Sequence, residues 1–235
     1  MNIVDCLIAT EKFDKRIDVL NGGFVRLVDH MGNDLSIVRS ARVSYDADWR
    51  AGDEKKDEKL IAYLMKNKHT SPFEAVQFTF EVKAPIFVFR QWHRHRTWSY
   101  NEISARYTEL DEGFYLPELD QITFQSPSNK QMRTEDQNPH AENIREWMEI
   151  QNRSSFLMYQ ELLQKGCPRE LARSVLPVGA YSRMFASVNL HNLFHFLRLR
   201  LHEHSQYEIR VYAQAILQLI EPIVPVAVQE FKNTL

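Results

Sequence analysis

The chain has 235 residues, 44% of them hydrophobic and 26% charged, with a formal charge of −2 at pH 7. This suits one globular domain or two small ones, and with no convincing domain boundary along the chain a single domain over 1–235 with a sizeable core is expected; it argues against a general nucleic-acid or acidic-membrane surface, which needs a basic excess. Only seven residues are glycine, and neither G-x-G-x-x-G nor G-x-x-x-x-G-K-[ST] occurs, so no glycine-rich loop opens a helix to hold a phosphate or dinucleotide.

Near the N-terminus, Asp5 interrupts a short apolar start, and no run approaches the roughly 18 apolar residues of a membrane span. Cys6 and Cys167 stand far apart without a C-x-x-C, so neither a disulfide framework nor a cysteine zinc site is expected. A cytoplasmic protein follows from both readings. Residues 24–29 alternate as a strand, closed by the turn at 31–34, and a helix starting at Asp34 or Ser36 carries Ile37, Val38, Ala41 and Tyr45 inward. A polar loop is expected over 46–58, before a helix with Leu60, Ile61, Leu64 and Met65 at helical spacing.

Val76, Phe78, Phe80 and Val82 alternate with polar residues, which marks a strand buried on one face. Pro85 then opens a helix carrying Ile86, Phe87, Phe89 and Trp92. Residues 111–140 have the Pro, Asn, Gln, Ser and Asp content of a long surface excursion. A helix follows over 141–165 with Gly166 as its C-cap, then a short helix from Pro168, an extended piece over 181–188, a helix opened by Asn189, and a helical reading over 203–229. The class is α+β.

The basic residues are unevenly drawn. Between 84 and 231 there are thirteen arginines against two lysines, whereas the first 83 residues carry eight lysines and five arginines. Arginine offers a planar fork matched to phosphates and carboxylates. Its densest setting is 90–107, RQWHRHRTWSYNEISARY, where three cationic or titratable residues in succession, Arg94, His95 and Arg96, are most easily explained by a compensating anion.

Arg94-His95-Arg96, seven residues, then Ser104 resembles the R-H-R-x7-S signature of flavin-dependent thymidylate synthases, and the match continues through Ser99, Asn101, Glu102, Ser104, Arg106 and Tyr107. The segment from His69 to Glu74 is similar to the family's H-x-[ST]-P-F-E, and Pro168-Arg-Glu-Leu-Ala-Arg173 with Leu176-Pro177 to its P-R-E-x-A-R-x-x-L-P. Asn189, His195, Arg200, His204, Gln206 and the run Glu208-Ile209-Arg210 fit its C-terminal pattern, while His191 stands where the family usually has arginine.

The resemblance implies synthesis of dTMP from dUMP, with 5,10-methylenetetrahydrofolate as carbon donor and FAD, reduced by NADPH, as hydride carrier. It implies a sheet flanked by long helices in an intertwined homotetramer with active sites shared between subunits. It assigns flavin contacts to Ser44, His69, Ser71, Glu74, Arg94, His95, Arg96, Glu102, Asn189, His191, His195 and His204. The dUMP set is Gln91, Arg94, Glu102, Ser104, Ala105, Arg106, Arg173 and Arg200. Arg200 is expected to be catalytic, as a fixed cation that favours the electron-rich pyrimidine. Ser104 admits a nucleophile reading, but binding is expected, because a serine needs a base to attack.

Two other classes compete. His191 and His195 have the i, i+4 spacing of a metal hydrolase's H-E-x-x-H, but Asn192 replaces the general base, so no metal is expected. Trp92, Trp98 and Tyr100 offer stacking platforms for RNA, which the net charge disfavours, so the aromatics are read as packing and no nucleic-acid partner is expected. Flavin uptake, metal release and RNA gel shifts separate the three.

Overall fold

A computed structural model describes residues 15–44 and 54–235; Asp5, Cys6, Tyr45 and most of the expected 46–58 loop lie outside them. β1 (Arg16–Val19) and β2 (Gly23–Met31) form an antiparallel hairpin. Gly23 is required there, since a Cβ would lie 1.9 Å from the Tyr212 hydroxyl.

After Gly32, whose φ of +81° suits glycine, comes α1 (Asp34–Val43). Its cap is Asn33 rather than either expected position, Asp34 or Ser36: Asn33 Oδ1 accepts from Leu35 N and Ser36 Oγ accepts from Asn33 N. Asp34 instead caps a distant helix, as described below. α2 (Glu54–Lys66) starts earlier than the polar composition suggested, so 54–58 is helix rather than loop. Its first turns are polar yet strongly helix-forming, and Asp57 pairs with Arg42 of α1.

A 3-10 turn (Ser71–Ala75) leads into β3 (Gln77–Pro85), α3 (Ile86–Trp92) and β4 (Ser99–Glu102). The 111–140 excursion holds a two-stranded hairpin, β5 (Thr123–Gln125) and β6 (Arg133–Gln137). Then come α4 (Ala141–Gln164), α5 (Arg169–Ala172), a 3-10 turn (Arg173–Val175), β7 (Tyr181–Asn189), α6 (Leu190–Arg200), α7 (Tyr207–Ile220) and α8 (Pro225–Lys232). The expected helix over 203–229 is thus two helices. Asp34 accepts from Val226 N at 2.9 Å and Ala227 N at 3.0 Å, capping α8.

The main sheet is antiparallel in the order β1-β2-β3-β7-β4. Phe78, Phe80, Val82 and Ala84 of β3, with Met184, Ala186 and Val188 of β7, face a core closed by α6, α7 and α8 through Phe196, Tyr212, Ile216 and Phe231. The opposite face carries Thr79 against Ser187, Glu81 against Phe185 and Lys83 against Arg183. The α+β class holds, with helices on one face of the sheet.

The longest helix, α4, packs instead on the segment before β5 and on α5 and its following turn. Tyr159 Oη accepts from Leu110 N at 3.4 Å, and Arg145 Nε donates to Pro117 O at 3.1 Å. Its apolar residues are divided: Phe156 and Tyr159 are buried, while Trp147, Ile150, Leu157 and Met158 are exposed. No helix among the described residues is long and apolar enough to cross a membrane.

Candidate active site

The basic cluster folds as a turn between α3 and β4. Trp92 and Trp98 are buried, with ring centroids 4.9 and 5.1 Å from that of Phe196, so they are core residues. Tyr100 Oη donates to Trp92 O at 3.0 Å and to His95 O at 2.8 Å, clamping the turn. The clamp turns His95 inward and leaves Arg94 and Arg96 exposed on either side of it.

His95 is 6% exposed, and its Nε2 accepts from Arg200 Nε at 3.0 Å. An accepting Nε2 requires a neutral imidazole with its proton on Nδ1. Burial, reinforced by the charges of Arg200 and His195, lowers the His95 pKa from 6.5 to about 4. Arg200, at the last residue of α6, also donates through Nη2 to Gln91 O at 3.2 Å. Burial draws its pKa down as well, but a guanidinium remains a cation. The Gln91 side chain donates from Nε2 to Gln206 Oε1.

A cavity of about 620 Å³ lies on the other side of α3. Arg90, His93, Glu102, Ala105, Arg173 and Ser182 help to line it. Glu102 accepts from Ser182 Oγ at 2.6 Å and lies 4.0 Å from His93 Nε2. At its edge, Ser104 Oγ accepts from Arg106 N at 3.4 Å and Arg106 Nε at 3.3 Å. Arg173 is exposed and donates from Nε to Glu170 O at 3.3 Å. Of the expected dUMP residues, this brings Glu102, Ala105 and Arg173 together, whereas Gln91 and Arg200 form the separate cluster around His95.

A second cavity, of about 710 Å³, is lined by His69, His191 and His195 over Phe73 and Phe194, with Lys68 and Arg198 also in its wall. The i, i+4 pair of α6 thus shares one surface, as its spacing implied. Ser71 and Glu74 are exposed on the neighbouring 3-10 turn. Asn189 caps α6, its Oδ1 accepting from Asn192 N at 2.9 Å. Ser44 and His204 are not in this cavity wall. Ser44 ends α1, and His204 lies against His202 on the wall of a third cavity, of about 520 Å³, with Arg133, Gln206 and Arg210.

Ser182 and His93 belong to the 620 Å³ cavity without having been singled out from sequence. His93 sits inside the basic cluster, which was its only signal. Glu208, named in the C-terminal run, is buried against Tyr115 and Arg133, neither of which was marked from sequence; Arg133 Nη2 donates to both Glu208 oxygens at 2.7 Å.

Residues 26–226 match the family model described as thymidylate synthase complementing protein. A flavin-dependent thymidylate synthase of Thermus thermophilus is 49% identical over 219 residues, covering 93% of this chain and 79% of that protein. One from Treponema denticola is 47% identical over 222 residues, covering 94% and 83%. Among solved structures, the UMP/dUMP methylase PolB of Streptomyces cacaoi, bound with 5-Br dUMP, superposes with a TM-score of 0.84 at 37% identity, over 92% of this chain and 97% of that one. With the motif lining one cavity and the likeness running almost end to end, the chain belongs to the thymidylate synthase complementing protein family, the family of flavin-dependent thymidylate synthases.

Proposed function

We propose that this chain, as one domain over 1–235, is a flavin-dependent thymidylate synthase that converts dUMP to dTMP in the cytoplasm, with 5,10-methylenetetrahydrofolate as carbon donor. The observation that carries this is the folded motif of 94–107. It joins Glu102 and Ala105 to the distant Arg173 around one cavity, while its His95 holds Arg200.

The histidine cavity fits FAD by its chemistry. Phe73 and Phe194 offer apolar surface to a flat ring, His69, His191 and His195 offer hydrogen bonds, and Lys68 and Arg198 offer charge to a diphosphate. Ser71, Glu74, the exposed Arg94 and Arg96, Glu102 and Asn189 complete the holding set on this reading, with Ser44 and His204 supplied from elsewhere in an assembly. When bound, FAD would supply the redox chemistry, as a hydride carrier between NADPH and the nucleotide.

The chain's own residues bind and aim the nucleotide. Arg106, Arg173 and the backbone amides near Ser104 form the phosphate site, since a dianion rewards several converging donors. Gln91, Arg94, Glu102, Ser104 and Ala105 hold the rest. Arg200 lies against the pyrimidine and stabilises charge as it builds there, and His95 keeps its fork in one orientation without adding a second charge. Ser104 binds, because its Oγ accepts from Arg106 and no histidine is hydrogen-bonded to it among the described residues.

Assembly into a homotetramer with shared sites is supported by the stripe of Trp147, Ile150, Leu157 and Met158, each more than half exposed on α4, which exceeds scattered surface apolar residues. Relatives at 47% and 49% identity carry the thymidylate synthase name, against 37% for the UMP/dUMP methylase, which favours dUMP over UMP. The test is to purify the protein, titrate FAD, and measure dTMP formation with both nucleotides. Flavin absorbance and turnover of dUMP are expected. A colourless protein that neither takes up FAD nor quenches its fluorescence overturns the reading.

A further inference from the structure

Ser182 lines the 620 Å³ cavity, yet no step above uses it. Side chains alternate along β7, and Ser182 takes the same face as Met184, Ala186 and Val188, the face turned to the core. It is 6% exposed. A hydroxyl at a core-facing register has to find a partner inside the protein, and Glu102, the last residue of β4, supplies it. Glu102 pairs with Met184 in the sheet, so its side chain leaves on the face that Ser182 occupies two residues earlier. Ser182 Oγ donates to Glu102 Oε1 at 2.6 Å.

The two carboxylate oxygens of Glu102 therefore differ. Oε1 is taken by a buried hydroxyl. Oε2 has no hydrogen bond among the described residues: His93 Nε2 lies 4.0 Å away, beyond hydrogen-bonding range. His93 is itself packed, its ring centroid 4.8 Å from that of Tyr100, the residue that clamps the basic turn. The Glu102 side chain is 33% exposed and lines the cavity. A carboxylate accepts and does not donate, and it repels a phosphate. Such an oxygen suits an N–H or O–H of the nucleoside part of a nucleotide.

We propose that Ser182 is a positioning residue: by binding one oxygen of Glu102 it holds the carboxylate at the end of β7 with the second oxygen open to the cavity, as an acceptor for the nucleotide. This rests on the reading of Glu102 as a dUMP contact. A glutamate without this tie has rotamers to lose when the ligand arrives and is free to swing to His93. One fixed beforehand presents its acceptor at no further ordering cost. The serine does so from a strand in the middle of the sheet, between β3 and β4, which moves less than the turn that carries Ser104 to Arg106.

Ser182→Ala removes the donor and adds no volume. In enzyme saturated with FAD, dUMP affinity by calorimetry should fall about 5- to 15-fold, while kcat at saturating dUMP stays within about 2-fold of wild type. Ser182→Thr keeps the hydroxyl and should restore affinity to within about 2-fold of wild type; Ser182→Val, with the shape of threonine but no donor, should repeat the alanine loss. Glu102→Ala should itself weaken dUMP binding, and adding Ser182→Ala to it should change affinity by less than about 2-fold, because the hydroxyl acts only through the carboxylate. Equal affinities in the threonine and valine variants, or a serine effect that persists in full without Glu102, overturns the proposal. Wild-type dUMP affinity in Glu102→Ala removes the contact on which it rests and overturns it too. A wild-type enzyme that binds FAD but not dUMP overturns the functional reading itself, and this inference with it.

Discussion

The two groups of residues that the proposed dUMP reading draws on are built on different principles. On one side, Arg200 is partly buried at the end of α6 and held by two acceptors, His95 Nε2 at 3.0 Å and Gln91 O at 3.2 Å. On the other, Arg173 and Arg106 are exposed, one resting on Glu170 O and the other on Ser104 Oγ, each at 3.3 Å. A cation that must act on charge as it builds in a ring has to be aimed beforehand, because reorientation during the reaction would cancel its benefit. A phosphate is different. It brings its full charge with it and can gather exposed guanidinium groups on arrival.

On this division, removing the aimed cation damages chemistry, and removing the exposed ones damages binding. Arg200→Ala should lower kcat by about 10²- to 10³-fold, in line with loss of a transition-state donor, while the protein keeps its flavin. Arg200→Lys should recover little, since a point charge cannot span both acceptors. Single-turnover dTMP formation measures both; near-normal turnover in the alanine variant removes Arg200 from its role. Arg173→Ala should raise the Kd for dUMP by roughly 10- to 100-fold, the range for a charged hydrogen bond lost, with kcat at saturation little changed. A fall in kcat with unchanged dUMP affinity would dissolve the distinction between the two sides.

The side with exposed arginines was the more legible from sequence. Arg94 to Tyr107 announces itself because so many donors and acceptors crowd one short segment, and the 191/195 spacing alone was enough to place two histidines on one surface. The aimed side was half legible. Its residues belong to recognisable motifs, but the bond from Arg200 to His95 joins residues 105 apart in sequence, and no periodicity encodes that. β4 escaped for a related reason: Ser99–Glu102 is short and polar, and it is a strand only because β7 offers an edge to pair with. The cap of α1 is Asn33 rather than Asp34 or Ser36: Ser36 serves as the reciprocal partner of that cap, and Asp34 is committed to α8, a long-range contact that local propensity does not register. Arg133 and Glu208 likewise find each other only in three dimensions.

The neutral state of His95 is what separates the aimed side from an ordinary cluster of cations, and it can be tested through stability. Burial first, then Arg200 and His195, hold the folded His95 pKa at about 4, against 6.5 in the absence of these influences. Below pH 6.5 the unfolded chain takes up a proton that the folded chain refuses until about pH 4, so this contribution to stability is present above pH 6.5 and is lost as pH falls through the window. The loss should be on the order of 3 kcal/mol. His95→Gln, which keeps an acceptor for Arg200, should flatten this part of the melting profile. An unchanged slope would mean that His95 does not carry the effect.

The smallest expected effect falls on Ser104, and it bears on how the chemistry is divided between protein and cofactor. Its hydroxyl oxygen faces Arg106, at 3.4 Å from the backbone nitrogen and 3.3 Å from Nε. An oxygen receiving two donors, one of them cationic, is a poor nucleophile, because both interactions withdraw electron density and neither can remove its proton. Ser104→Ala should therefore weaken dUMP binding by about 3- to 10-fold, close to one hydrogen bond, and leave turnover at saturating dUMP within the same range. Binding and turnover must be measured on the same preparation. Abolished dTMP formation with dUMP still bound would make Ser104 the attacking group and move the chemistry from the aimed side to the open one.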